Sequence, residues 1–232
     1  MQILIFSDLH GKIQNIEELF GSINFDDYIF AGDIFGYFTC GEEVTDLLIK
    51  NHVKFILGNH DMYFLRELSP TLFDQRFGYL NEVMITGDAY NQKYGCLYDT
   101  VKKINKSTVD YLFESSLSEN FSIHNLRFFV HHGSPYNSFD QYIYPDYEKM
   151  NQIFEDFDFD VMILGHTHKP FIKLHQIGNR IIINPGSCSL PRGNSLPTVA
   201  IFDTQNMSAN LKKLKQKINF KRETYTRLKE LI

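Results

Sequence analysis

Asp8 and His10, in the stretch FSDLHG, stand two residues apart at the end of an apolar run, so in extended chain both point to one side and can grip a single ion. The arrangement returns with Asp33 in FAGDIFG, Asn59, His60 and Asp61 in LGNHD, His132 in FVHHGSP, and His166 and His168 in LGHTH. In five places a run of β-formers stops and residues that ligate metals or move protons begin. Gly32, Gly58, Gly133 and Gly165 stand beside them, letting the backbone turn sharply and leaving a carboxylate or imidazole at a strand tip. An isolated GD or HG is an ordinary loop. Gathered together, so many imidazoles and carboxylates need a cation.

The elements that must gather them are short apolar runs reading as buried strands: Ile3–Ser7, Tyr28–Ala31, Lys54–Leu57, Arg127–His131, Val161–Leu164, Arg180–Asn184 and Val199–Asp203. Between them, Ile13–Phe20, Glu42–Lys50, Thr108–Leu117 and Tyr147–Phe157 carry apolar residues at helical spacing, with Ser107 placed as an N-cap. This alternation predicts an α/β fold, which collects its strand ends at one edge, where ligands bind. Phe171–Asn184, with Gly178 and Asn179 at its centre, reads as a β-hairpin, so the sheets are mixed. A helical excursion is expected within Leu72–Asn105. The C-terminal stretch from Leu211 is the most basic part; its last dozen residues have helical spacing at Tyr225, Leu228 and Ile232 and read as a solvated face. His131, next to His132 on a strand, faces the opposite way and reads as packed. His52, His124 and His175 fall outside every motif.

The 232 residues suit one domain spanning 1–232, with 43% hydrophobic and 22% charged residues, near globular averages. There are 21 Phe and 13 Tyr but no Trp. A formal net charge of −5 argues against a nucleic-acid backbone as partner. Cys40, Cys96 and Cys188 fit no CxxC spacing and read as free thiols of a reducing compartment. No apolar span is long enough for a membrane helix, and the N-terminal run is too short for a signal peptide, so no membrane partner and a cytoplasmic location are expected.

With DxH, GD, GNHD, HG and GHTH in this order, continuing into NPGS at Asn184–Ser187, the chain resembles the calcineurin-like metallophosphoesterase superfamily. GDIFGY, HHGSP and NPGSCSLPR look like its small stand-alone bacterial and archaeal branch, families described as phosphodiesterases and diadenosine tetraphosphatase-like hydrolases. The resemblance implies a four-layer α-β-β-α sandwich of two mixed sheets flanked by helices, and two divalent metal ions. Asp8, His10, Asp33 and His168 would hold one, while Asp33, Asn59, His132 and His166 hold the other, Asp33 bridging. Nitrogen and oxygen ligands suit Mn, Fe, Zn, Co or Ni, with Mn the first expectation and Mg an alternative. Two such ions, about 3.5–4 Å apart, would clamp phosphoryl oxygens and supply a bridging hydroxide for in-line attack. His60 would be the general acid, oriented and kept cationic by Asp61.

The protein Ser/Thr phosphatase branch continues GD into GDxxDRG, whereas this chain reads GDIFGYF and lacks that aspartate and arginine. The expected substrate is therefore a small phosphodiester or nucleotide, with Asn59 and Arg192 as substrate contacts; Arg192 can equally be an exposed salt-bridging residue. Phe35, Tyr37 and Phe38 could stack a base, or simply pack. The competing activity is a phosphomonoesterase or protein phosphatase. A catalytically silent interaction scaffold and a nuclease fit less well, since no ligand is missing and no basic DNA-binding segment is evident.

Overall fold

In β1 (Gln2–Phe6), Ile3 and Ile5 face one way, Leu4 and Phe6 the other, and all four are fully buried. Successive strand residues point to opposite faces, so such a strand needs a layer on each side. The structure, a computed structural model, describes residues 1–14, 16–17, 20, 25–81, 104–137, 139, 141–175, 178–193 and 196–214, and among these both layers are present.

β1 pairs in parallel with β2 (Asp27–Phe30), which pairs in parallel with β3 (Lys54–Phe55). Its other edge is antiparallel to β9 (Thr198–Asp203), and β9 to β10 (Ser208–Lys213), giving the order β10-β9-β1-β2-β3. The second sheet has the order β4-β5-β6-β8-β7, formed by Ser118–Ile123, Leu126–His131, Val161–Ile163, Ile181–Asn184 and Phe171–Leu174 respectively. Here β5, β6 and β8 run parallel, while β4 and β7 are antiparallel edges. Both sheets are mixed, and β7 and β8 form the expected hairpin.

Ile3, Ile5 and Phe202 of the first sheet meet Phe128, Val161, Ile163 and Ile183 of the second in one apolar cluster between the sheets. The outer face of the first sheet packs on α1 (Gly41–Lys50), α2 (Asn59–Leu68), α3 (Pro70–Phe77) and α4 (Lys106–Glu114) through Val44, Phe64, Phe73 and Leu112. The outer face of the second packs on α5 (Met150–Asp156) through Ile153 and Phe154. The result is the four-layer α-β-β-α sandwich.

Several elements differ from expectation. α4 begins after Asn105, two residues before the expected cap, and α5 is shorter than the predicted helix because Tyr147 closes a turn ahead of it. α3 and a 3₁₀ turn at Gly78–Leu80 form the described start of the helical excursion; the rest of it, Cys96 and the basic C-terminal stretch from 215 lie outside the described residues. Cys188 is buried and Cys40 half-buried. No helix among the described residues is long and apolar enough to cross a membrane.

Phe128 is fully buried between the sheets, edge-to-face with Phe202 at 5.8 Å and stacked on Phe121 at 5.7 Å between ring centroids. Phe128→Ala should lower unfolding free energy by about 3–5 kcal/mol through lost burial and the cavity left behind. Urea denaturation checks this, and a loss below about 1 kcal/mol would contradict the inter-sheet packing.

Candidate metal centre

The parallel strands β1, β2, β3, β5, β6 and β8 all end at one edge, and the loops leaving them carry every motif residue. Asp8 and His10 follow β1, Asp33 follows β2, Asn59 opens α2 after β3, His132 follows β5, and His166 and His168 follow β6. All seven are buried.

One ligand atom from each of Asp8, His10, Asp33 and His168 lies within 4.8 Å of the others. The Nε2 atoms of His10 and His168 are 3.1 Å apart, and His168 Nε2 is 3.2 Å from Asp8 Oδ1. A second group adjoins the first. His132 Nε2 stands 3.2 Å from Asn59 Oδ1 and 3.3 Å from Asp33 Oδ2, and its ring lies 5.0 Å from that of His166. Asp33 Oδ2 is also 3.7 Å from His10 Nε2, so one carboxylate oxygen faces both groups.

The imidazoles are held with Nε2 inward. His10 Nδ1 donates to Phe35 O at 3.1 Å, His132 Nδ1 to Ala31 O at 2.7 Å and His168 Nδ1 to Leu190 O at 2.5 Å. A carbonyl oxygen can only accept, so these bonds assign the proton to Nδ1 and leave Nε2 to ligate, the usual support of a metal-bound histidine. Asp8 Oδ2 and His166 Nε2 are buried without a hydrogen bond. Buried polar atoms in native proteins are almost always satisfied. The donor set and these orphaned atoms fit a divalent cation.

The backbone carries a matching signal. Asp8, His10, Asp33, His166 and His168 all have φ between 51° and 66°, the left-handed region that non-glycine residues rarely occupy. A Cβ on Gly58 would sit 2.2 Å from Asp33 Oδ1, and one on Gly36, at φ 147°, would sit 2.4 Å from His10 Nδ1. Side chains are excluded there because functional atoms fill the space. Ser187 and Ser189 hydroxyls donate to Asp8 O at 2.8 Å, and Asn184 Nδ2 to Gly165 O at 2.7 Å, so NPGSCS braces the strained loops. Motif spacing showed these serines as a continuation of the pattern but gave them no role.

The Asp61 carboxylate is bonded to the main chain. Its Oδ2 accepts from Asp33 N at 3.0 Å and Gly58 N at 2.8 Å, and its Oδ1 from Phe35 N at 2.9 Å. Both oxygens are spent on the main chain, so Asp61 is a loop anchor, and burial with the neighbouring Asp33 pushes its carboxyl up to about 7. Burial pushes the His60 imidazole down to about 4, with Asp33 opposing. His60 lies beside the group all the same, its ring 4.6 Å from that of His10. Phe35 is buried and stacked on Phe64 at 3.9 Å, so it cannot stack a ligand; Tyr37 packs against His10 and His60 instead. His131 is half-buried outside the ligand group, and Arg192 stands exposed at the rim.

Comparison with known proteins gives a consistent picture. Residues 1–207 match the calcineurin-like phosphoesterase superfamily domain. An uncharacterized protein of Methanocaldococcus jannaschii is 23% identical over 231 residues, covering 90% of this chain and 85% of its own. The crystal structure of a metallophosphoesterase from Sphaerobacter thermophilus superposes with a TM-score of 0.70 at 24% identity, covering 93% of this chain and 89% of that one. An archaeal phosphodiesterase superposes with a TM-score of 0.52 at 22% identity, covering 93% and 100%.

Protons compete for the same atoms. Burial favours neutral imidazole at His132, but Asp33 outweighs it and lifts the group to about 9; His168 is raised by Asp8 against burial in the same way. His10, by contrast, is pushed down by burial and by His60. With its pKa lifted to about 9, His132 carries its proton at neutral pH, and ligation must displace it, so metal affinity should climb with pH and level off above about 9. Adding Mn²⁺ to metal-free protein at about pH 7.5 in weak buffer should release at least about one proton per chain. Binding without proton release would contradict the assignment of His132 as a ligand.

Proposed function

We propose that this chain, which belongs to the calcineurin-like phosphoesterase superfamily and so to the hydrolases of phosphoester bonds, is a phosphodiesterase acting on small phosphodiesters or nucleotides with two divalent metal ions. The observation that supports this most is Asp33 Oδ2, which faces His10 of one ligand group and His132 of the other. Asp8, His10, Asp33 and His168 would hold one ion, and Asp33, Asn59, His132 and His166 the second. When bound, divalent cations supply Lewis-acid activation of water and neutralise charge on the phosphoryl group.

The remaining chemistry belongs to side chains. His60 stands beside the ligand group, fixed by its own N–H donating to Asp33 Oδ1 at 2.9 Å and by packing on Tyr37 at 5.0 Å. Burial holds its imidazole neutral, but a phosphate anion placed against it favours the cation, as an opposite charge does at such range. His60 would then carry a proton to the leaving oxygen. Asn59 orients toward the same space from the start of α2, where helix N–H groups favour an anion.

A diester is favoured over a monoester because the buried floor of the site offers imidazoles and carboxylates but no arginine or lysine among the described residues. A monoester dianion brings a second charge that such a floor leaves unmatched. The archaeal structural relative described as a phosphodiesterase agrees with this reading. In one metal and buffer, kcat/KM for bis-p-nitrophenyl phosphate should exceed that for p-nitrophenyl phosphate; a tenfold preference for the monoester would make the protein a phosphomonoesterase.

His60→Gln should leave metal content intact and slow hydrolysis of esters with poor leaving groups by about 10²–10⁴-fold. The loss should be smaller for p-nitrophenyl esters, whose leaving group needs little protonation. An equal loss on both would make His60 a substrate-positioning residue.

A further inference from the structure

Above the buried ligands stands a second tier of residues at the mouth. Tyr142, 38% exposed, lies flat on the His166 ring with centroids 3.9 Å apart and planes 20° from parallel. Tyr144 runs nearly parallel to Tyr142, 9° apart at 5.9 Å, while Ile143 between them is buried against α5 and anchors the segment. Each tyrosine carries a cation. Arg192 Cζ lies 5.7 Å from the Tyr142 ring and Lys169 Nζ lies 5.1 Å from that of Tyr144.

Both cations are tied to the ligand His168. Lys169 follows it in the chain, and Arg192 N donates to His168 O at 3.2 Å. Their side chains are exposed while the ligands beneath are almost wholly buried, so the two levels are separated in depth. In a protein of net charge −5, two cations placed over tyrosine faces beside one ligand strand end form a local basic rim. Lys169 lines a depression of about 440 Å³ with Tyr144, Pro145 and Asp146. The Arg192 side chain also hydrogen-bonds that of Tyr142, which fixes the guanidinium, and a planar guanidinium so held presents its other N–H groups to phosphate oxygens.

We propose that Arg192, assisted by Lys169, is a specificity-determining residue that binds a second anionic phosphate of the substrate, one unit removed from the phosphoryl group held at the buried floor. This rests on the phosphoesterase reading of the floor and narrows its substrate class to nucleotides bearing a diphosphate or longer chain. No bond is made or broken at the rim.

The probe pair is a nucleoside 5′-diphosphate and the matching 5′-monophosphate, titrated calorimetrically into Mn²⁺-loaded protein at constant free metal. In wild type the diphosphate should bind at least about tenfold more tightly, the scale of one charge-assisted hydrogen-bonded contact. Arg192→Gln should bring that ratio down to within about twofold, Arg192→Lys should keep part of it, and Lys169→Gln should give a smaller decrease in the same direction. Metal stoichiometry and thermal midpoint of each variant verify that the site is intact. Equal binding of both probes by wild type, or a ratio unchanged in Arg192→Gln, overturns the proposal. Wild-type turnover of bis-p-nitrophenyl phosphate is followed separately: its absence with every metal, beside an intact diphosphate preference that Arg192→Gln removes, rejects the diesterase reading and leaves the rim contact standing.

Discussion

Two buried aspartate carboxylates clasp main-chain N–H groups at the centre of this molecule. The Asp61 carboxylate collects N–H groups from Asp33, Phe35 and Gly58, while the Asp33 carboxylate accepts the N–H of His60. The first set of bonds fixes the loop after β2 to the start of α2, and the second fixes the start of α2 to the carboxylate that faces both ligand groups. Charge-assisted bonds of this kind are among the strongest that neutral main chain can make. Buried as they are, neither carboxylate can lose its partners without leaving desolvated polar oxygens unsatisfied, which is far more costly than a missing surface contact. Everything the site does depends on Asp33 standing where this clasp puts it.

The clasp also holds strain. Five residues of the clustered motifs, Asp8, His10, Asp33, His166 and His168, sit at positive φ, a conformation that costs of order 1–3 kcal/mol at each and persists only where the surroundings over-determine it. Carbonyl acceptors for the three Nδ1 atoms, the Ser187 and Ser189 hydroxyls on Asp8 O, and the Asn184 amide on Gly165 O are those surroundings. They preorganise the Nε2 lone pairs and carboxylate oxygens around a shared space. In metal-free protein the raised pKa of His132, about 9, lets a proton supply part of the positive charge that this space demands, so metal binding and protonation are linked.

Most of the sandwich was legible because buried strands announce themselves. ILIF, YIF, VMIL and IIIN are apolar on both faces, and each is followed by a residue type that can ligate or a turn that exposes one. β4 and β10 were not legible: SENFSI and SANLKK are edge strands with mostly polar, partly exposed side chains, each paired on one side only, across a short turn, to β5 and β9. α2 was hidden for another reason. NHDMYFLREL looks like a loop of chemical residues because its first turn is given over to Asn59, His60 and Asp61, although Asp61 at the third position, receiving the Gly58 N–H, is a helix-start signal. The motif histidines were visible from spacing; which nitrogen each presents was not, since that depends on carbonyls of Phe35, Ala31 and Leu190, two of them in distant loops. The aromatic platform was sought at Phe35, Tyr37 and Phe38, but only tertiary packing reveals that Phe35 is core and Tyr142 covers His166.

The central claim is that a single carboxylate, Asp33, joins two ligand groups into one dinuclear centre. Elemental analysis of metal-reconstituted wild type and Asp33→Asn tests it most directly, because the substitution removes the shared charge while keeping the shape of the side chain. The account predicts two ions per chain in wild type and less than one in the variant, with both positions weakened together. Two ions retained in Asp33→Asn would contradict it.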